Sequence, residues 1–175
     1  MKSVCNLFIM AVFALSLGLS GCAKEDPAKP LDIGSFKTAT VEGTILYITD
    51  VTTGTTQKYS SPPTLEINAS IPYSALKSGA TGTYYIPKKD ITYSGGKYTV
   101  TVPVGPSGAN VTIIVSPFLG TQKQTKSGSN IDVNGLWRLS GGNSFTVNSV
   151  LPGQTALETV KKLYFTEQDG VGSDV

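Results

Sequence analysis

Alternation of apolar and polar side chains is the feature that most constrains the fold of this chain. In residues 97–104, the apolar Tyr98, Val100 and Val102 alternate with threonines. Successive side chains of a β-strand point to opposite faces of a sheet, so this period of two predicts a strand with one buried face. The same pattern predicts strands over 38–50, 64–71 and 110–117.

Shorter β-rich segments separated by turn residues fill most of the remaining sequence. Further strands are predicted at 82–87, 90–94, 135–139, 144–150 and 157–166. Gly, Pro, Ser and Asn separate them, as in Ser127-Gly128-Ser129-Asn130. Residues 156–165 are also compatible with a short helix, but their β-branched and aromatic residues favour a strand. Strands at close intervals with turns between them predict an all-β, antiparallel β-sandwich.

The first 22 residues predict export and lipid attachment. Met1-Lys2 gives a positive start, and residues 4–19 form a nearly uncharged apolar segment that is too short to span a membrane. The following Leu19-Ser20-Gly21-Cys22 resembles the lipobox of bacterial lipoproteins. This resemblance implies a signal peptide over 1–21, a diacylglycerol on the Cys22 thiol, cleavage before Cys22, and an acyl chain such as palmitate on the new amine. Two or more chains anchor a protein stably to a membrane.

The charged residues after Cys22 suggest a location. Lys24-Glu25-Asp26 resembles the short export signal of surface lipoproteins in Bacteroidota, and residue 23 is Ala rather than the Asp of an inner-membrane retention signal. These resemblances imply an outer-membrane lipoprotein that is exposed at the cell surface. The predicted boundaries are a flexible linker over 22–36, a β-sandwich domain over 37–168 and a tail over 169–175.

Two motifs within the predicted domain resemble a known family. Residues 41–45, Val-Glu-Gly-Thr-Ile, and residues 96–103, Gly-Lys-Tyr-Thr-Val-Thr-Val-Pro, resemble motifs of the transthyretin-like and carboxypeptidase-regulatory-like sandwiches. The resemblance implies a sandwich that serves as a structural or binding module and is usually non-catalytic. The predicted topology is therefore transthyretin-like or an immunoglobulin-like Greek key.

Composition argues against catalysis and against nucleic-acid binding. The chain contains no histidine, which removes Ser-His and Cys-His nucleophile pairs and zinc sites that need imidazole. No motif predicts a cofactor or a metal site. The net charge is +2, and the densest basic groups are the pairs Lys88-Lys89 and Lys161-Lys162, unlike the basic stripe of a nucleic-acid-binding protein. We therefore expect a protein that is not an enzyme, has no cofactor and does not bind nucleic acid.

Aromatic residues are the candidates for ligand binding. Tyr84, Tyr85, Tyr93 and Trp137 could present flat rings to a sugar, although neighbouring Tyr84 and Tyr85 must point to opposite faces of a strand. A single tryptophan more often packs in a core, which is the competing interpretation of Trp137.

Other chemistry has weaker support in the sequence. Asp50, Asp169 and Asp174 lie in turn-rich regions but form no calcium-binding loop motif. An isopeptide bond between Lys37 and Glu66 would need a buried acid, whereas the alternation places Glu66 outward.

Three functions remain open for the predicted module. The first is a non-catalytic binding or structural module whose partners are the membrane, through Cys22, and a polysaccharide or protein of the cell envelope. The second is a glycan-binding accessory lipoprotein of a nutrient-capture system. The third is a fimbrial or adhesin subunit that uses strand addition, for which residues 156–166 would be the terminal strand.

Overall fold

The computed structural model describes residues 31–168 of the chain. The predicted signal peptide, Cys22, the predicted export signal Lys24, Glu25 and Asp26, and the tail residues 169–175 lie outside the described residues. The compact unit that contains the domain begins at Ile33. Within residues 31–168, no helix has the length and apolar character needed to cross a membrane.

The described residues are all-β, with strands joined by turns and three single-turn 3₁₀ helices. The strands are β1 (Lys37–Asp50), β2 (Lys58–Ser60), β3 (Ile67–Pro72), β4 (Thr83–Tyr85), β5 (Ile91–Ser94), β6 (Lys97–Val104), β7 (Ala109–Val115), β8 (Phe118–Lys126), β9 (Ser129–Leu139), β10 (Ser144–Val150), β11 (Thr155–Leu157) and β12 (Lys161–Glu167). The 3₁₀ helices are Ile33–Ser35, Tyr73–Ala75 and Lys88–Asp90.

The strands form two sheets, and the long strand β1 organises the larger one. The smaller sheet has the order β10-β7-β3-β4 and is antiparallel. In the larger sheet, the first part of β1 pairs with β6 and β11, and its last part pairs with β2, β12 and β8. β11, β12 and β8 run parallel to β1, so the predicted antiparallel arrangement is wrong for these three pairs. Long connections separate these strands from β1, and such connections permit parallel pairing. Because β12 pairs with both β1 and β9, and β8 pairs with both β9 and β1, these four strands close into a ring.

The two sheets bury the apolar faces that the alternation predicts, which is consistent with a β-sandwich. Tyr98, Val100 and Val102 on β6 are at most 1% exposed, and the predicted inward residues of β7 are at most 2% exposed. The ring of Tyr98 lies 6.3 Å from the ring of Phe145, which belongs to β10 of the other sheet. The apolar faces of the two sheets therefore meet in a shared core.

The two family-like motifs are neighbours in the larger sheet. In the β1–β6 register, Val41 pairs with Val100 and Gly43 pairs with Tyr98. The Tyr98 ring lies over Gly43, and a Cβ atom added at Gly43 would come 2.6 Å from the ring atom Cζ. A side chain at position 43 would therefore displace the tyrosine from its site in the core.

Most predicted strands are confirmed, and 156–165 is confirmed as strand rather than helix. That segment is interrupted, however, with β11 and β12 separated by residues 158–160. The alternation does not predict β2, β8 or the first half of β9. In β8, Gly120, the buried Gln122 and Gln124 follow Phe118 on the less exposed face, so the strand lacks the regular apolar face that would mark it.

Candidate ligand-binding cleft

A cleft of about 660 Å³ lies where β8 separates from β1. Among the described residues, the two strands pair at one position, Asp50 with Lys123, and the next backbone N–H, of Val51, donates to the Lys123 carbonyl at 2.9 Å. Residues of both strands that lie before this contact line the cleft, including Tyr47 on β1 and Phe118 on β8. The cleft is therefore a product of strands that touch at one end and diverge at the other.

A buried side chain supports the wall of the cleft where the backbone ladder ends. Gln122 is 7% exposed, and its Nε2 donates to the Ile48 carbonyl at 2.8 Å. Its Oε1 accepts a hydrogen bond from Gln124 Nε2 at 2.9 Å. The amide thus satisfies a β1 carbonyl next to the divergence, and it is itself satisfied, as buried polar groups must be.

An aromatic cluster packs behind the cleft, with Trp137 at its centre. The Trp137 ring lies 4.9 Å from Tyr47 in an edge-to-face arrangement and 5.0 Å from Phe165, and Tyr47 lies 6.0 Å from Phe118. Such ring pairs add stability beyond their buried area. Trp137 is 1% exposed and lines the cleft. Its Nε1 is buried without a hydrogen-bond partner among the described residues.

Glycines make room for this cluster. A Cβ atom at Gly120, which also lines the cleft, would lie 3.1 Å from Trp137 Nε1. A Cβ atom at Gly135 would meet the ring of Phe165 and the carbonyl oxygen of Thr166. Gly120 and Gly135 are paired across β8 and β9, so the rings pack over a strip of bare backbone. The indole N–H edge therefore lies at the part of the cleft wall that has no side chain.

Four charged residues of alternating sign stand side by side at one end of the cleft. The registers place Lys58 of β2 next to Asp50, Asp50 next to Lys123, and Lys123 next to Asp132 of β9. All four line the cleft, and within the described chain no ion pair of 4.0 Å or less joins them. Their charged groups are therefore not neutralised by direct contact with each other.

Asp50 is held by a turn rather than by the neighbouring lysines. Its Oδ1 accepts hydrogen bonds from the Thr52 backbone N–H at 3.0 Å and from the Thr52 hydroxyl at 2.8 Å. These bonds lower the pKa of the Asp50 carboxyl below its ordinary value, and the positive charges of Lys58 and Lys123 lower it further. Asp50 is therefore an ionised and oriented carboxylate at the cleft.

The arrangement is suited to binding. Ring faces supply apolar contact, and the alternating carboxylates and ammonium groups supply hydrogen-bond acceptors and donors, the combination found in ligand sites. In residues 31–168, no group of three or more Cys, Asp and Glu side chains lies together in a way that could hold a metal ion.

The structure does not bring the four predicted aromatic candidates together. On β4, Tyr84 is partly buried with its ring 6.0 Å from Tyr73, and Tyr85 is 68% exposed, so the two point to opposite faces as predicted. On β5, the Tyr93 hydroxyl donates to the Pro62 carbonyl at 2.7 Å. Of the four, Trp137 is the residue that lines the cleft, and no ring contact between described residues joins it to the other three.

The alternative candidates have simpler roles in the structure. Glu66 is exposed, as predicted, and forms an ion pair of 3.3 Å with Lys88. Asp50 belongs to the cleft, while Asp169 and Asp174 lie outside the described residues.

For several residues of the cleft, no motif or periodicity in the sequence indicates a place in a binding site. They come from four different strands, and strand pairing alone makes them neighbours: Tyr47, Lys58, Phe118, Lys123 and Asp132.

No protein-family model matches the chain, and no curated protein sequence matches it either.

Proposed function

We propose that this chain is a lipid-anchored module of the bacterial cell envelope that binds a ligand in the cleft between β1 and β8 and catalyses no reaction. The observation that carries the proposal is the cleft itself, where the rings of Tyr47 and Phe118 adjoin the row of charges from Lys58 to Asp132. The lipobox-like segment before Cys22 supports anchoring, and Lys24-Glu25-Asp26 supports exposure at the outer surface. The lack of histidine supports a non-catalytic role.

The proposed fold is a sandwich of transthyretin-like or immunoglobulin-like Greek-key topology. Two observations support it. The sheets share one core, and the family-like motifs pair with each other through Gly43 and Tyr98. A structural or binding role is what this resemblance implies.

The proposed ligand is a polysaccharide or protein of the envelope, and a glycan of a nutrient-capture system is the second candidate. The second candidate is favoured by the partly exposed rings beside carboxylates and lysines, because sugars present apolar ring faces and many hydroxyl groups together.

Trp137 provides a direct test because it is the single tryptophan of the chain and lines the cleft. We would titrate the full chain with a glycan panel and with solubilised envelope polysaccharides, and follow the tryptophan emission. A saturable change in emission is expected for a ligand of the cleft. Phe118→Ala and Lys123→Gln should weaken that binding at least tenfold, and Lys97→Gln, an exposed lysine on β6 outside the cleft, should not.

One result of the titration would contradict the proposal, and another would reject only the glycan candidate. Binding that is equally strong in Phe118→Ala, Lys123→Gln and Lys97→Gln would place the ligand elsewhere. The folded protein could instead bind no glycan and still bind envelope protein, with Lys123→Gln weakening that binding. This result would reject the second candidate alone.

Anchoring is tested separately. Cys22→Ala should move the chain from the membrane fraction to the soluble fraction and abolish labelling with palmitate. Protease treatment of intact cells should degrade the domain, whereas a protected domain would exclude surface exposure.

A further inference from the structure

The smaller sheet ends in a strand edge that is open in the described structure. β10 pairs with β7 along one side and has no hydrogen-bonded strand along the other. The Val115 N–H donates to the Asn143 carbonyl at 2.7 Å, and Ser144 stands opposite Ile114. Antiparallel pairs alternate between hydrogen-bonded and non-hydrogen-bonded positions, so the backbone groups of Phe145 and Val147 face β7. Those of Ser144 and Thr146 face outward.

The edges at β4 and β5 are blunted in ways that β10 is not. β4 has three residues and lies between Gly82 and Pro87, and β5 has four residues and directly follows the charged segment Lys88–Asp90. Short length, proline and charge are the usual protections of an exposed edge. β10 has seven residues without charge or proline, and its irregularity is confined to the end, where Ser149 has a φ of 55°.

A groove of about 330 Å³ adjoins the first residues of β10. Ser144 and Phe145 line one part of it, and Val160, Lys162 and Tyr164 line another. Val160 is 51% exposed and Tyr164 is 57% exposed, so the groove offers apolar surface beside the open backbone groups. A strand added to β10 would carry an inward side chain into this groove.

The groove also has a cation without a carboxylate partner. Lys162 donates to the Tyr59 hydroxyl at 3.1 Å and lies over the Tyr59 ring, and no carboxylate of the described residues lies within 4.0 Å of it. Lys161, by contrast, is paired with Glu158 at 2.9 Å. Charge complementarity therefore favours an acidic group on whatever occupies the groove.

From these observations we infer that β10 accepts an extended segment of a partner protein as an additional strand. The segment places an apolar side chain in the groove and an acidic side chain next to Lys162. Main-chain hydrogen bonds to Ser144 and Thr146 supply affinity, and the two side chains supply selectivity. This surface shares no residue with the cleft between β1 and β8, so it is independent of the function proposed above.

The test attaches a designed strand to the full chain, so that the strand is present at high effective concentration near β10. The strand Thr-Val-Thr-Leu-Glu-Val-Thr is joined to the C terminus through a flexible Gly-Ser linker of about 20 residues, since a tether of this kind gives millimolar effective concentration. We expect amide hydrogen exchange at Ser144 and Thr146 to slow at least tenfold. A tethered strand with proline at its third and fifth positions, whose N–H groups would face β10, should leave both amides unprotected. Replacing Glu by Lys in the original strand should reduce the protection.

Two variants of β10 provide matched controls. Thr146→Pro removes an outward N–H that β7 does not use, so it should abolish protection of Ser144 while circular dichroism remains unchanged. Thr146→Val retains the N–H and should retain protection.

Three results would overturn the inference. The first is unchanged exchange at both amides with the tethered strand. The second is equal protection by the proline-containing strand. The third is protection in the untethered chain that rises with protein concentration, which would assign the edge to a second copy of this chain.

Discussion

Gly43 and Tyr98 face each other across β1 and β6, and the phenol of Tyr98 fills the space that a side chain at Gly43 would need. Tyr98 is 1% exposed, and its hydroxyl has no hydrogen-bond partner among the described residues. Burial raises the pKa of this phenol, and the negative charge of Glu158 raises it further, so the group remains neutral. The pair joins the two family-like motifs at the centre of the core.

We expect Gly43→Ala to lower the free energy of unfolding by about 1–3 kcal/mol, because overpacking a tight core forces side chains and backbone to shift. Urea denaturation measures the change. In the double variant with Tyr98→Val, the loss should be smaller than the sum of the two single losses, since the clash is absent. Strictly additive losses would show that the ring does not press on position 43.

Removing the Tyr98 hydroxyl should not destabilise the protein. Tyr98→Phe deletes a buried group that makes no hydrogen bond, so we expect unchanged stability or a gain of up to about 1 kcal/mol. Tyr93→Phe is the matched control, because the Tyr93 hydroxyl donates to the Pro62 carbonyl at 2.7 Å and its loss should cost about 1 kcal/mol. The expectation is wrong if Tyr98→Phe is the more damaging of the two changes in thermal or urea unfolding.

The two glycines beneath the aromatic cluster should differ in their tolerance of alanine. A Cβ atom at Gly135 would meet the backbone oxygen of Thr166, which cannot move alone, and we expect a loss of about 1–3 kcal/mol. A Cβ atom at Gly120 would lie 3.1 Å from the side-chain atom Nε1 of Trp137, which can shift by tenths of an ångström. We therefore expect Gly120→Ala to retain most of its stability and to change the Trp137 emission. Equal stability losses in the two variants would contradict this difference.

The Asp50 carboxyl should titrate below its ordinary range because of Thr52. A pKa lowered by folding stabilises the protein above the unfolded-state pKa, and the stabilisation is lost as the pH falls through the folded-state pKa. Thr52→Ala removes the hydroxyl donor but not the backbone donor, so the pKa of Asp50 should rise part of the way to its ordinary value. Thr52→Ser retains the hydroxyl and should leave the pKa low. Carboxyl-carbon NMR titration measures both, and identical titration of the two variants would rule out the hydroxyl contribution.

Sequence pattern was sufficient for strands that bury one apolar face. β6 has the predicted bounds, and Tyr98, Val100 and Val102 all lie in the core, because alternation is a local property that each strand carries by itself. β8 lacks such a face. Its buried Gln122 is tolerated because its amide reaches the Ile48 carbonyl of β1, a partner that is distant in sequence.

The cleft depends on pairings that no local pattern encodes. Trp137 was a candidate for both core packing and ligand contact, and the structure shows it almost wholly buried while it still lines the cleft. Tyr47 and Phe118 gain their roles because β8 pairs with β1 at Asp50 and then diverges from it. The divergence reflects the closed ring of β1, β8, β9 and β12, which is a property of the whole sheet.

By itself, the sequence determined the all-β class and the positions of the regularly alternating strands, since these follow from side-chain periodicity and turn residues. For residues 156–165 it favoured strand over helix without deciding between them. Tertiary structure alone decided that β12 lies between β1 and β9, that Tyr98 covers Gly43, and that the charges from Lys58 to Asp132 form one row. The physical reason is that strand partners are chosen by burial and hydrogen bonding between distant segments. Local periodicity contains no information about which segments those are.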